Sequence, residues 1–134
     1  MTLTTALLPR RAALTCALAL PALHALADST TLDGRRFDGV FLERGKTSGD
    51  ADTLTFQGGR FRSSACDRYG YGDAPYRASA AGDAIAFEAE TESARYGKLR
   101  WKGLVRGDKL DATATMVREG KAPIENWVVA GAPK

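Results

Sequence analysis

Three times along this chain, a two-residue turn containing glycine separates two stretches in which apolar and polar residues alternate. The stretches are "TLTFQGGRFRSS" (53–64), "YRASAAGDAIAFEAETE" (76–92) and "KLRWKGLVRGDKLDATATMV" (98–117), with turns at Gly58-Gly59, Gly82-Asp83 and Gly107-Asp108. Alternation is the period of a strand with one buried face, and a two-residue turn beginning with glycine is the preferred hairpin connection. So short a turn also fixes which residues pair. Phe56 then lies opposite Phe61 and Leu54 opposite Ser63; Tyr76 meets Ala89 and Ala78 meets Phe87; Trp101 meets Ala114 and Gly103 meets Ala112. In each hairpin one face collects the apolar residues. The other carries Arg77 against Glu88, an opposite-charge pair that supports its register, and Arg100 and Lys102. Only Arg106 opposite Lys109, a like-charge pair, speaks against the pattern.

Two further segments read as strands: "RRFDGVFLE" (35–43), before the polar loop "RGKTSGDAD" (44–52), and "IENWVVA" (124–130), after the loop "REGKAP" (118–123). That makes eight strands and no helix between residues 28 and 134. Short loops make neighbours antiparallel, so the simplest topology is an up-and-down meander. Closing eight strands into a barrel leaves no unpaired edge. The expected fold is therefore all-β, an eight-stranded antiparallel up-and-down barrel. Phe37, Phe56, Phe61, Tyr76, Phe87, Trp101 and Trp127 are expected inside it. Arg77, Glu88, Glu90, Arg100 and Lys102 on the outer face are incompatible with lipid, which excludes a membrane-spanning barrel.

The first 27 residues read differently. Arg10 and Arg11 precede the apolar run "AALTCALALPAL" (12–23), and "ALA" (25–27) is a small-x-small cleavage site, so Met1–Ala27 is expected to be a secretory signal peptide removed before Asp28. The domain organisation is then 1–27 signal peptide and 28–134 a single barrel domain, in a periplasmic or secreted protein. Cleavage would remove two of the 19 Lys and Arg and none of the 16 Asp and Glu, leaving 17 against 16. No basic cluster remains, so no nucleic-acid partner is expected. Cleavage also removes Cys16 and the sole histidine, His24. Histidine-based triads, Cys-His pairs and His-ligated metals are excluded in the remaining chain, and an intramolecular disulfide with them.

An eight-stranded barrel is just wide enough for side chains to fill it or for one small ligand to enter. Large residues face small ones, as with Phe87 against Ala78, which is jigsaw packing. At the Gly103-Ala112 level the pair has little volume, and there a cavity is the alternative. The remaining cysteine, Cys66, would point outward if its strand ran on from Phe61, and a turn into "DRYGYG" would reverse it. It reads as a structural thiol or as a redox or disulfide-linking one. Tyr69, Tyr71 and Tyr76 are expected to cap one end with their hydroxyls in water, beside Cys66. With Phe87 and Trp101 they form the candidate ligand-binding set. Glu88, Glu90 and Glu92 alternate on the solvent face, and Asp50 and Asp52 lie in a loop with too few companions for calcium. No catalytic group, cofactor or metal is expected.

The meander with "LDGRRFDGVF" (32–41) near its start and Gly-Asp turns before apolar strands resembles the calycin group of lipocalin-like barrels. The Gly-x-Trp of true lipocalins is unmatched, since Gly34-Arg35-Arg36 leads to Phe37. The resemblance implies carriage or sensing of a small hydrophobic molecule. A more local likeness covers "ACDRYGYGDAPYRASAAGDAIAF" (65–87), which is similar to META-type exported domains at Cys66, Asp67, Tyr69, Gly70, Tyr76, Gly82 and Asp83. It departs at Ala65, where that family has Gly, at Asp67, where it has Asn, and in lacking the second cysteine. That likeness implies an envelope-stress or surface role. The expected function is an exported, non-enzymatic barrel that binds a small apolar or aromatic ligand in its interior or at its mouth. The alternative is an envelope protein-interaction module using the Cys66–Tyr76 rim. The protein is expected to be a monomer, with a Cys66-linked dimer as the alternative.

Overall fold

The computed structural model describes residues 31–133; the expected signal peptide, with Cys16 and His24, lies outside them. Eight strands follow one another: β1 Arg36–Glu43, β2 Asp50–Gln57, β3 Arg60–Ser63, β4 Asp73–Ala81, β5 Ala84–Ser93, β6 Gly97–Arg106, β7 Lys109–Val117 and β8 Ile124–Gly131. Each is antiparallel to the next, and β8 pairs back with β1, so the sheet closes into a barrel in chain order. Among the described residues the one departure from strand and turn is a 3₁₀ turn, Ser64–Tyr69, between β3 and β4. None of the described helices is long and apolar enough to cross a membrane.

The hairpin registers are those dictated by the turns. Phe56 pairs with Phe61, Ala78 with Phe87, Trp101 with Ala114 and Gly103 with Ala112. Gly58 and Gly59 both have positive φ, 59° and 73°, which a turn matching the right-handed strand twist requires. The like-charged Arg106-Lys109 pair is present as well. Arg106 turns its guanidinium to Asp83 in the neighbouring turn, at 3.2 Å, which relieves the repulsion. On the outer face Glu90 pairs with Arg100 at 3.0 Å and Lys98 at 3.4 Å, and Glu88 approaches Arg77 at 3.7 Å. These exposed pairs contribute a few tenths of a kcal/mol each, roughly.

The core is an aromatic plug. Phe37, Phe56, Phe61, Tyr76, Phe87 and Trp101 are all but inaccessible to water. Phe56 contacts Tyr76 and Phe87 at centroid distances of 5.0 and 5.1 Å, and Phe61 contacts Trp101 at 4.8 Å, mostly edge to face. At the Gly103-Ala112 level the Phe87 ring fills the interior where a cavity was the alternative. A Cβ on Gly103 would lie 2.4 Å from the Phe87 ring and 2.9 Å from Ala112 Cβ, so glycine is there to admit that ring.

The two ends of the barrel differ. At the end holding the three glycine turns, residues 31–34 fold across the opening and Leu32 fills it, fully buried. Asp33 pins this closure, accepting hydrogen bonds from the Gly59 N–H at 3.0 Å and from the Tyr76 hydroxyl at 2.7 Å, while Tyr76 Oη accepts from the Leu32 N–H at 3.1 Å. Two expectations are corrected here. The Tyr76 hydroxyl is in the protein interior at the closed end, not in water beside Cys66, because β3 is only four residues long and the pairing of Pro75 with Arg60 sets Tyr76 level with the Gly58-Gly59 turn, its N–H donating to the Gly59 carbonyl at 3.2 Å. Trp127 points outward and is 44% exposed, because Asn126 and Val128 take the inward positions of β8.

Candidate functional site

At the opposite end the β1–β2 and β7–β8 loops are polar, with Arg44 bonded to Glu125 between them, and the 3₁₀ turn lies at the mouth. Below them lies a cavity of about 580 Å³. Its wall is Phe41, Ala65, Cys66, Tyr71, Leu99, Met116, Ile124 and Asn126, and its lip is Glu43, Lys46, Ser48, Gly49, Asp50, Tyr69 and Tyr96. Phe41 meets Trp101 edge to face at 5.9 Å, so the aromatic plug begins where the wall ends. The cavity is a cup with a solid floor.

An inward-facing carboxylate sets the position of the 3₁₀ turn. Asp52 belongs to β2, which begins at Asp50 and takes in three residues that read as loop in the sequence. Asp52 is 3% exposed, and its two oxygens accept from different donors. Oδ2 takes the Ser63 hydroxyl at 2.7 Å; Oδ1 takes the Ala65 N–H at 3.0 Å and the Ser64 hydroxyl at 3.3 Å. A carboxylate from a neighbouring strand thus caps the start of the turn, where backbone N–H groups have no partner of their own. Asp50 instead forms an ion pair with Arg68 on the outside of the lip.

That cap decides where Cys66 goes. The turn reverses the strand phase and brings the thiol inward, 4% exposed, with its Sγ 3.4 Å from Ser63 Oγ. Burial, reinforced by the negative charges of Asp52 and Asp67, pushes the thiol's pKa up to about 11 against the opposing effects of Ser63 and Arg68. At ordinary pH Cys66 is a protonated, weakly nucleophilic wall residue. Among the described residues it has no disulfide partner.

Ser93 ties the lip together. Buried at the end of β5, its hydroxyl donates to the Tyr69 carbonyl at 2.7 Å and accepts from the Tyr96 N–H at 3.2 Å. Tyr69 and Tyr96 consequently meet at 5.7 Å, nearly perpendicular, with Arg68 and Arg95 over their rings. Both are exposed.

Of the candidate ligand-binding residues, the structure brings Tyr69 and Tyr71 to the cup with Cys66. Tyr76, Phe87 and Trp101 are in the plug, and Trp101 spends its indole N–H on the Thr91 hydroxyl at 3.2 Å. The sequence reading did not single out Tyr96, Leu99, Met116, Ile124 or Asn126. Leu99 and Met116 pair two residues on from Trp101 and Ala114 and so share their inner face, and counting toward the strand ends opposite the glycine turns places them at the mouth. Among the described residues no group of three or more Cys, Asp or Glu is placed to hold a metal ion.

These features define a class: a closed, up-and-down, eight-stranded β-barrel, plugged in the middle, sealed at one end and cupped at the other. Its architecture is compatible with that of the calycin group. No family model, curated protein or solved structure matches the chain.

Proposed function

We propose that this is an exported, non-enzymatic calycin-like barrel that binds one small apolar or aromatic molecule in the cup at the Cys66 end. The observation that carries the reading is the cup itself. About 580 Å³ falls within the roughly 300–1,000 Å³ of small-molecule sites, and an apolar wall with a few polar groups is their usual chemistry. Phe87 and Trp101 fill the interior proper, which supports the mouth over the interior as the site. Arguing against catalysis are a protonated Cys66, an Asp52 committed to capping, and the lack of histidine among the described residues. The Arg10-Arg11 segment with its apolar run supports export.

The test is a titration with the neutral fluorophore N-phenyl-1-naphthylamine, in parallel with Ile124→Glu in the cup wall and Val129→Glu on the outer face. Val129 lies with Leu104 and Trp127 on an exposed apolar groove, so it controls for binding outside the cup. Saturation at one probe per chain, weakened at least about tenfold by Ile124→Glu and unchanged by Val129→Glu, is the expected result. Loss of binding through Val129→Glu alone would transfer the site to the groove and reject the cup.

A second reading is favoured by one observation. Tyr69 and Tyr96, exposed and held rigidly with stacked arginines, form a surface suited to a protein partner. In that case the chain is an envelope interaction module of the META kind, and a pull-down sensitive to Tyr69→Ala but indifferent to Ile124→Glu would establish it.

A further inference from the structure

Among the buried side-chain polar atoms of the described residues, the Tyr71 hydroxyl has no hydrogen-bond partner. The contrast with its neighbours is sharp: Asn126 donates to the Ala114 carbonyl at 3.1 Å, and Tyr76, Trp101, Ser63 and Ser93 each have a partner inside the fold. Tyr71 is 5% exposed and forms part of the cup wall; its hydroxyl is out of reach of water in the ligand-free barrel, so a ligand oxygen meets it when the wall side chains shift around the ligand. Buried polar groups are nearly always satisfied, so a retained orphan points to something outside the chain that completes it.

Resting on the reading of the cup as a ligand site, we infer that its ligand is compact, uncharged and carries a hydrogen-bond acceptor such as a carbonyl or ether oxygen, to which the Tyr71 hydroxyl donates. A phenol is a good donor and a poor acceptor. Burial also raises the Tyr71 pKa, so the donor keeps its proton at ordinary pH. The ligand is compact because the aromatic plug leaves a long chain nowhere to run. It is uncharged because the inner wall has no charged side chain, and the buried Asp52 carboxylate behind Cys66 repels an anion. The charges of the site, Glu43, Lys46 and Asp50, are at the lip.

The experiment compares 2-acetylnaphthalene with 2-ethylnaphthalene, which share a ring system and near-equal size but differ in the acceptor. Binding of each to the wild-type chain and to Tyr71→Phe is measured by calorimetry, and both ligand-free proteins are melted. Tyr71→Phe is expected to weaken the ketone roughly three- to tenfold, leave the hydrocarbon within about twofold, and melt higher than wild type once the orphan is gone. If both probes bind and the variant changes them equally or not at all, the donor role is wrong while the cup stands. If neither probe binds the wild type, the cup reading falls and takes this inference with it. A lower melting temperature for ligand-free Tyr71→Phe would show that an internal water already satisfies the hydroxyl, and would also overturn it.

Discussion

Replacing Asp52 with alanine removes the acceptor that holds the 3₁₀ turn over the mouth. Three donors lose their partner, unequally. Ser63 is buried with 1% of its surface exposed, and its hydroxyl is left away from water with only the weak acceptor Cys66 Sγ at 3.4 Å. The half-buried Ala65 N–H recovers part of its hydration, and the exposed Ser64 hydroxyl recovers nearly all. At about 1–3 kcal/mol per orphaned buried donor, with relief from no longer burying a carboxylate set against it, the net loss is about 2–3 kcal/mol. For a domain this size, that lowers the melting temperature by about 10–20 °C. Urea unfolding followed by tryptophan fluorescence gives the free energy directly. Asp52→Asn should fall between the two proteins, because the two carboxylate oxygens serve different donors and an amide supplies one acceptor. A second readout is independent of stability: as the turn loosens, Cys66 should react faster with a disulfide reagent at pH 8 in native buffer. An Asp52→Ala protein within about 0.5 kcal/mol of wild type, with Cys66 still protected, would refute the capping role.

Other perturbations follow from single contacts. Gly103→Val drives a Cβ into the Phe87 ring, 2.4 Å away, and should cost at least about 1–3 kcal/mol in thermal unfolding. Tyr76→Phe breaks the bonds to Asp33 and the Leu32 N–H, and should destabilise by about 1–2 kcal/mol, opposite in sign to Tyr71→Phe. Cys66 makes stability depend on alkaline pH. Its thiol pKa is about 11 in the folded protein against an ordinary 9.0, so the contribution is whole below pH 9 and is lost as pH rises through 11. That amounts to about 2–3 kcal/mol when fully expressed, and urea unfolding of Cys66→Ala should show a correspondingly flatter decline between pH 9 and 11.

The hairpins were legible in the sequence because a two-residue turn leaves no freedom in the pairing. Once Gly82-Asp83 is placed, Ala78 must meet Phe87. β8 was harder. In "IENWVVA" Trp127, Val128 and Val129 are all apolar, so alternation carries no phase, and hydrogen bonding to β7 and β1 decides that Val128 faces in and Trp127 out. Asp52 was misread for a related reason. A carboxylate next to Gly49 and Asp50 looks like loop, and nothing local reveals that Ser63 and Ala65, eleven and thirteen residues on, will solvate it. The direction of Cys66 turned on the same long-range contact. Capping by Asp52 holds the 3₁₀ turn that breaks the strand's period of two. The cup was invisible because its lining comes from the ends of several strands and from connections far apart in the chain. The tyrosine-rich "DRYGYG" marked its lip without revealing that Tyr71 and Tyr76 belong to opposite ends.

The sealed end has a consequence for how the molecule can be displayed. β1 starts and β8 finishes side by side there, with Asp38 paired to Gly131 and the Ala132 N–H bonded to the Asp108 carbonyl at 2.7 Å. Residues 31 and 133 therefore emerge at the same pole, away from the mouth. A tether or fusion attached through either one points the cup outward, toward whatever the solution holds. A circularly permuted chain, joined across that pole and opened in the 118–123 loop, would reverse the presentation and set its new ends at the lip. On the proposed reading of the cup, chip-immobilised protein coupled through residue 133 should accordingly take up N-phenyl-1-naphthylamine as freely as protein in solution, while the permuted form coupled through its new ends should not.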